Sequence, residues 1–300
     1  EARLAAGRSI ISTAAQSIVF LQGAYGLIEA TSGKPLRYAG LGPDGNPLRN
    51  AAGEAFITTE GNGPIIENLF TGTAFVASDG GLLLTNRHVA MPWEIDEAAR
   101  AIFKQGFRPV LRRFIGYLPG IREPFEVKLV AASDEADVAV LRCSAVTGRI
   151  RPLNLSSVPA QPGDEVIVIG YPTGVRALLA RSDTAFVEKL KTEPDMDFWT
   201  VAQRLSSKGR ISPLATRGIV GQISAAAVVY DAETTSGGSG GPVLNVNAEV
   251  IAINSGMMPE FSGSNLGVPA QQAQMLLADA RARSASVRRV ASALRVNSLN

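Results

Sequence analysis

Ser239 lies in a glycine-rich segment, residues 235–243, that reads TSGGSGGPV. Four glycines surround this serine, and glycine lets another chain approach closely because it has no Cβ. A tight loop of this composition can direct two backbone N–H groups at one point beside the hydroxyl, which is the arrangement that stabilises an oxyanion. Clusters of Gly and Ser also form ordinary turns. The segment therefore predicts either a turn or a loop that carries a nucleophile, and the apolar strand that follows at once makes a linker implausible.

A serine hydroxyl is a weak nucleophile that needs a base, and the base is normally histidine. The chain has one histidine, His88, directly after an apolar run. Such a histidine can also be purely structural. A catalytic imidazole needs a carboxylate to fix its tautomer, and Asp137 begins the alternating segment 137–142. Asp134 and Glu135 are competing carboxylates, but they fall in the loop before that segment.

The composition predicts a folded chain with a substantial core. Of its 300 residues, 46% are hydrophobic, which excludes global disorder and allows one large domain or two small ones. Lys and Arg total 29 against 27 Asp and Glu, a balance that argues against nucleic acid as the main partner. With one histidine and one cysteine, Cys143, the chain can form neither an internal disulfide nor an ordinary zinc site. We therefore expect no metal and no other cofactor.

The segments that must position these residues are mostly strands. The hairpin 70–85, which turns at Asp79 and Gly80, would deliver His88 at the end of its second strand. Residues 33–63 are rich in Gly, Pro, Asn and Asp, and we expect a long hairpin or loop with some local pairing. Further strands are predicted at 17–22, 24–30, 110–118, 125–132, 137–142, 165–170 and 218–230. Helices are predicted at 2–15, at 92–104, at 183–208 with a break near Pro194, and from 270 onward.

Three of these segments together resemble the chymotrypsin-like serine proteases, and most closely their bacterial HtrA/Deg branch. The matching motifs are TNxHV at 85–89, DVAVL at 137–141 and GxSGGP at 237–242. Their order, His then Asp then Ser, is that of chymotrypsin. A weaker match, NLGVP at 265–269, is similar to the last barrel strand of that group. Each motif is short, and the specificity of the resemblance comes from all of them in one order.

The resemblance implies an all-β fold with added helices, namely two antiparallel six-stranded β-barrels of the trypsin-like protease fold with the active site in the cleft between them. A helical insertion departs from the family pattern, and no segment of the size of a PDZ domain follows the protease region. We expect four segments. Residues 1–64 form an N-terminal helix, the first strands and a long hairpin or loop, and they partly belong to the first barrel. Residues 65–150 form the first barrel with His88 and Asp137, residues 151–270 form the second barrel with Ser239 and the helical insertion 183–208, and residues 271–300 form a basic C-terminal helix.

The resemblance also implies roles for residues around the triad. The N–H groups of Gly237 and Ser239 correspond to the oxyanion hole. Three residues, Asn254, Ser255 and Gly256, match the strand that pairs with the substrate backbone.

Glu233 is the residue that the resemblance places near the base of the pocket for the side chain that precedes the cut. A buried carboxylate there would need a partner, and a substrate Lys or Arg could supply one. If Glu233 turns outward, a small apolar pocket suited to Val, Ala or Leu remains. The family pattern favours the outward orientation.

These roles imply a serine endopeptidase that acts through a Ser-His-Asp triad and an acyl-enzyme intermediate. Two other hypotheses stay open. A catalytically silent protein of the same fold could bind peptides as a chaperone or scaffold, although its triad would be expected to carry a substitution. An esterase would place GxSxG between a strand and a helix of a parallel sheet, with serine first in chain order. Here a strand follows the motif and histidine comes first.

The resemblance implies polypeptide substrates, unfolded proteins among them, and no nucleic acid. The single cysteine favours the bacterial branch over the disulfide-rich secreted animal enzymes. Because the sequence begins with Glu1 rather than Met, a signal or membrane anchor could have been removed before it. We therefore expect an extracytoplasmic location, in the bacterial periplasm or anchored at a membrane. The arginines at 281–295 could also hold a basic helix against an anionic membrane, although a solvated helix is the simpler interpretation.

Overall fold

The structure is a computed structural model that describes residues 2–194, 196–257 and 264–297, with the side chains at 2–4, 257 and 284–297 outside the description. Within these ranges the helices are α1 (Ala2–Ala15), α2 (Arg87–Ala90), α3 (Glu97–Phe103), α4 (Val175–Ala180), α5 (Thr184–Thr192), α6 (Phe198–Ser207) and α7 (Ala270–Asn297). The strands of the first half are β1 (Ile18–Glu29), β2 (Arg37–Tyr38), β3 (Ile57–Thr58), β4 (Asn68–Val76), β5 (Leu82–Thr85), β6 (Phe107–Tyr117), β7 (Phe125–Glu126), β8 (Lys128–Ala132) and β9 (Ala139–Arg142). Those of the second half are β10 (Glu165–Gly170), β11 (Leu214–Ile223), β12 (Val228–Tyr230), β13 (Pro242–Leu244), β14 (Val250–Met257) and β15 (Asn265–Pro269).

The second half forms a closed antiparallel barrel of six strands, in the order β10-β11-β12-β15-β14-β13. Both faces of β10 are buried, because its side chains alternate between two clusters. Val166 and Val168 pack with Val220 and Tyr230, whereas Ile167 and Ile169 belong to a larger core that the helices α4, α6 and α7 also enter. The expected six-stranded second barrel is confirmed.

The first half forms a seven-stranded sheet in the order β7-β6-β1-β4-β5-β9-β8, where six strands were expected. The extra strand arises because the single predicted segment 125–132 is divided at Val127. Its first part, β7, bonds to β6, and its second part, β8, bonds to β9. Since β7 and β8 are the two ends of the sheet and are adjacent in sequence, the sheet is a nearly closed barrel. The fold class is thus mostly β, with two barrels and added helices.

The chain divides into two compact units. The larger contains Glu1–Leu21, Thr71–Ala90 and Ile115–Asn300, and the smaller contains Gln22–Phe70 and Met91–Phe114. The smaller unit has its own core, in which Tyr25, Leu27, Leu36 and Ala99 are buried. All the candidate site residues belong to the larger unit, so this unit alone positions the site.

Several predicted elements are confirmed with altered bounds. The two strands expected at 17–22 and 24–30 are one strand, β1, because Gly23 does not break it. A Cβ at Gly23 would lie 2.0 Å from the Phe70 ring, so this glycine makes room for an aromatic side chain inside the smaller unit. The excursion 33–63 contains the expected local pairing, between β2 and β3.

The predicted insertion 183–208 contains α5 and α6 and is preceded by α4, which the sequence did not suggest. Asp183 and Asp197 cap α5 and α6, because their carboxylates accept hydrogen bonds from N–H groups of the first helical turn. The predicted C-terminal helix is confirmed as α7, and Arg281 on it donates a hydrogen bond to the Ala77 carbonyl. The side chains of Arg288, Arg289 and Arg295 lie outside the described residues. Among the helices described, none is long and apolar enough to cross a bilayer.

Candidate active site

His88 and Asp137 meet because β5 and β9 are neighbouring strands. Thr85 at the end of β5 pairs with Ala139 at the start of β9, so the residues just beyond these ends are close. His88 Nδ1 lies 2.7 Å from Asp137 Oδ2, and the His88 N–H donates to Asp137 Oδ1 at 2.9 Å. A carboxylate can only accept, so the Nδ1 proton lies in this bond and Nε2 is free to take a proton.

The Asp137 carboxylate is held ionised by its neighbours. Burial opposes ionisation, but hydrogen bonds from the His88 ring, from Ser255 and from the His88 N–H, together with the charge of His88, outweigh it. The pKa of Asp137 therefore lies below its ordinary value. The competing residue Asp134 has a side chain that is 93% exposed and forms an ion pair with Arg87. Asp137 is consequently the carboxylate that is bonded to His88.

The loop that carries Ser239 is fixed through its carbonyl groups. Four successive carbonyls, from residue 236 to residue 239, each accept a hydrogen bond. The donors are, in order, the Thr173 N–H, the Thr73 hydroxyl, the Gly241 N–H and the Thr73 N–H. Because the N–H and C=O of one peptide point in opposite directions, these bonds also determine where each following N–H points.

The N–H groups of this loop alternate between bonded and free. Two of them, those of Gly238 and Gly240, donate to the carbonyls of Thr235 and Asn254 at 2.9 and 2.8 Å. Those of Gly237 and Ser239 have no acceptor within the part of the chain that the structure describes. The two free donors are the pair that the sequence suggested for an oxyanion hole. Gly240 must be glycine, because it has φ +88° and a Cβ there would lie 2.0 Å from the Thr73 carbonyl oxygen.

Ser255 links the serine to the His–Asp pair. The Ser239 hydroxyl donates to the Ser255 carbonyl oxygen at 3.0 Å, and the Ser255 hydroxyl donates to Asp137 Oδ2. Among the described residues, no hydrogen bond joins Ser239 directly to His88. The sequence suggested for Ser255 only a role in pairing with the substrate. Its contact with Asp137 could not be predicted, because the two residues are 118 positions apart and no motif near either of them indicates the contact.

The residues suggested for substrate pairing fall into two groups. Asn254 is 1% exposed; its backbone bonds to the Ser239 loop, and its side chain accepts from Tyr230 and donates to Thr234. Asn254 therefore supports the loop, and almost none of its surface is accessible. Ser255 and Gly256 lie beyond Ile253, the last residue of β14 that pairs with β13. Among the described residues, β13 does not extend along β14 beyond Ile253.

Glu233 is exposed, and its carbonyl accepts a hydrogen bond from the Thr216 hydroxyl. Its side chain is therefore not buried, and its place in a specificity pocket stays a prediction. No group of three His, Cys, Asp or Glu side chains that could hold a metal ion occurs among the described residues.

Two barrels that carry a His–Asp pair and a glycine-framed serine define the chymotrypsin-like class of folds. Residues 72–253 match the trypsin-like peptidase domain, and the chain therefore belongs to the trypsin-like peptidase family.

Named relatives share this region. The chain is similar to serine protease PepD of Mycobacterium tuberculosis, with 29% identity over 187 residues, or 61% of this chain and 33% of the relative. It is also similar to a probable periplasmic serine endoprotease, DegP-like, of Hahella chejuensis, with 26% identity over 198 residues, or 66% and 32% of the two chains. The chain thus spans about a third of the length of these relatives. Among solved structures, the active form of the Rv3671c protease from M. tuberculosis shares the fold, with a TM-score of 0.53 and 17% identity over 91% of this chain and 85% of that one.

Proposed function

We propose that the chain is a serine endopeptidase that uses Ser239 as nucleophile, His88 as general base and acid, and Asp137 as the residue that orients His88. The observation that carries the proposal is that a histidine bonded to Asp137 through Nδ1 and a serine framed by two N–H donors without an acceptor among the described residues belong to the same compact unit. The histidine has Nε2 free to accept a proton, and the serine has an oxyanion hole beside it.

The reaction would begin when the Ser239 hydroxyl leaves the Ser255 carbonyl and turns to His88 Nε2. Ser239 Oγ would attack the peptide carbonyl carbon while its proton passes to Nε2, and the N–H groups of Gly237 and Ser239 would stabilise the oxyanion. Collapse of this intermediate breaks the C–N bond, and the amine leaves with the proton from Nε2. Water, deprotonated by His88, would then hydrolyse the acyl-enzyme and restore Ser239.

The substrate class that fits this site is an extended polypeptide. The edge of β14 at Ser255 and Gly256, which β13 does not cover in the part of the chain described, would pair with the backbone of such a chain, and backbone pairing makes little demand on sequence. Unfolded proteins are therefore the expected substrates. The names of the relatives, serine protease PepD and probable periplasmic serine endoprotease DegP-like, support proteolysis. Because the second name also gives a location outside the cytoplasm, we propose an extracytoplasmic location, in the periplasm or at a membrane.

One observation favours a second candidate, a protein that binds peptides without cleaving them. The Ser239 hydroxyl bonds to Ser255 rather than to His88, as would suit a serine that is not activated. Catalytic hydrogen bonds often form only with substrate in place, so this geometry is also compatible with an enzyme.

A fluorophosphonate probe separates the two candidates. We expect the wild-type protein to be labelled at Ser239, since the probe needs an activated serine next to an oxyanion hole, and we expect EDTA to have no effect. Labelling should disappear in Ser239→Ala, and mass spectrometry of the labelled peptide checks the site. A folded wild-type protein that resists the probe and leaves casein intact would favour the binder.

Cleavage sites should follow from the exposed position of Glu233. Because Glu233 is exposed and not buried at the base of a pocket, we expect cuts after small aliphatic residues in a denatured protein mixture, with the same profile in Glu233→Ala. Sequencing of the product termini gives the profile. Cuts after Lys or Arg that vanish in Glu233→Ala would show instead that Glu233 enters the pocket with substrate bound.

A further inference from the structure

Thr73 is a fully buried threonine of β4, at 0% exposure, and neither motif analysis nor the triad gives it a role. Its hydroxyl donates to the Gly237 carbonyl at 2.7 Å, and its own N–H donates to the Ser239 carbonyl at 2.9 Å. We propose that Thr73 is a positioning residue that keeps the two free N–H groups of the Ser239 loop pointing at one place, where the oxyanion forms. The proposal rests on the endopeptidase function proposed above.

The Thr73 hydroxyl has a fixed direction. It accepts a hydrogen bond from the Tyr171 N–H at 3.0 Å, and an N–H can only donate. The hydroxyl proton is therefore free for the Gly237 carbonyl, to which it points. One buried hydroxyl thus connects the residue after β10 to the loop, because it bonds both the Tyr171 N–H and the Gly237 carbonyl.

The bond to the Gly237 carbonyl fixes the peptide that lies between the two free donors. This peptide joins Gly237 to Gly238, and the peptides on either side of it carry the N–H groups of Gly237 and Ser239. If it rotated, the direction of both neighbouring peptides would change, and the two donors would no longer share a target.

The loop depends on this outside support because its own sequence restrains it weakly. Gly237 has φ +91°, and Gly237 and Gly238 have no side chains to limit rotation. The Thr73 backbone is itself held, since its carbonyl accepts from the buried Thr85 hydroxyl at 2.7 Å. Thr73 therefore connects the loop to the first sheet within the larger unit, so that the sheet restrains the loop.

Thr73→Val tests the proposal because valine keeps the shape and removes the hydroxyl. On fluorescent casein we expect kcat to fall by about 10-fold to 100-fold, less than or similar to the loss of one oxyanion donor, with KM unchanged. Thr73→Ser keeps the hydroxyl and should restore kcat, and Thr73→Cys, with a weaker donor, should fall between Ser and Val. The matched control is Ser17→Ala, which removes another buried hydroxyl, bonded to the Arg151 carbonyl, and should leave kcat unchanged.

A wild-type kcat in Thr73→Val, or an equal fall in Ser17→Ala, would overturn the proposal. If Thr73→Val does not fold, the kcat of Thr73→Cys is compared with that of Thr73→Ser. Equal kcat values for these two variants would overturn the proposal.

Hydrogen exchange provides a readout that does not depend on catalysis. Peptides that cover 235–241 should exchange faster in folded Thr73→Val than in the wild type or Thr73→Ser, because the bonded N–H groups of Gly238 and Gly240 lose their fixed setting. Faster exchange in a chain that never cleaves casein would mean that Thr73 anchors the loop while the endopeptidase proposal fails. Unchanged exchange would overturn the role of Thr73 whatever the activity.

Discussion

Replacing either Ser239 or His88 by alanine is expected to abolish casein hydrolysis, with kcat lower by up to about 10⁶-fold. The effect is this large because the nucleophile and its base act as a unit, and neither is useful without the other. The two single variants and the double variant should accordingly have similar residual rates, since the second substitution removes nothing that the first has left.

Initial rates on fluorescent casein, normalised to folded protein, provide the measurement. Ser157→Ala is the matched control for Ser239→Ala, because Ser157 is exposed on the surface of the same unit and should keep the wild-type rate. A Ser239→Ala protein that still cleaves casein would remove Ser239 from the mechanism, and a strongly active His88→Ala would do the same for the base.

Asp137→Asn is expected to lower kcat by about 10⁴-fold. Asparagine can offer His88 an N–H in place of a carboxylate oxygen, and the imidazole would then carry its proton on Nε2. A protonated Nε2 cannot accept the proton of Ser239. The loss should appear in kcat with little change in KM, because Asp137 does not touch the substrate. Asp134→Asn is the control, since Asp134 is exposed and bonds to Arg87. Near-normal turnover by Asp137→Asn would contradict the assignment.

The same substitution has a consequence for acid stability. The folded-state pKa of Asp137 lies below its ordinary value of 3.8, so the ionised carboxylate stabilises the fold above that value, and this contribution is lost as the pH falls through the lower pKa. The difference in Tm between wild type and Asp137→Asn should therefore be constant near neutral pH and narrow below about pH 4. A difference that widens in acid would mean that the folded-state pKa is raised instead.

Much of this architecture could be predicted from short stretches of sequence, because strand patterns, turns and helix breaks depend on neighbouring residues. The strand 165–170, the turn before β5 and the break of the helical insertion near Pro194 each depend on a few adjacent residues. Gly23 misled the prediction because a glycine inside a strand looks the same in sequence whether it breaks the strand or admits a ring such as Phe70.

The parts of the site that sequence did not provide depend on contacts between distant residues. Thr73 and Gly237 are 164 residues apart, and Ser255 and Asp137 are 118 apart. Nothing in a short window around Thr73 distinguishes it from an ordinary buried strand residue. The triad could be proposed because its members have unusual chemistry, whereas the residues that hold them are common types placed by the topology.

The close packing around residues 237–241 makes this loop a segment of nearly fixed sequence. A Cβ at Gly238 would lie 2.3 Å from the Thr234 hydroxyl oxygen, and one at Gly241 would lie 2.4 Å from the Ile169 carbonyl oxygen. Gly237 and Gly240 have positive φ angles, which side chains other than hydrogen disfavour. Evolution and protein engineers can therefore change the specificity of this site far more readily through the residues around the loop than through the loop itself.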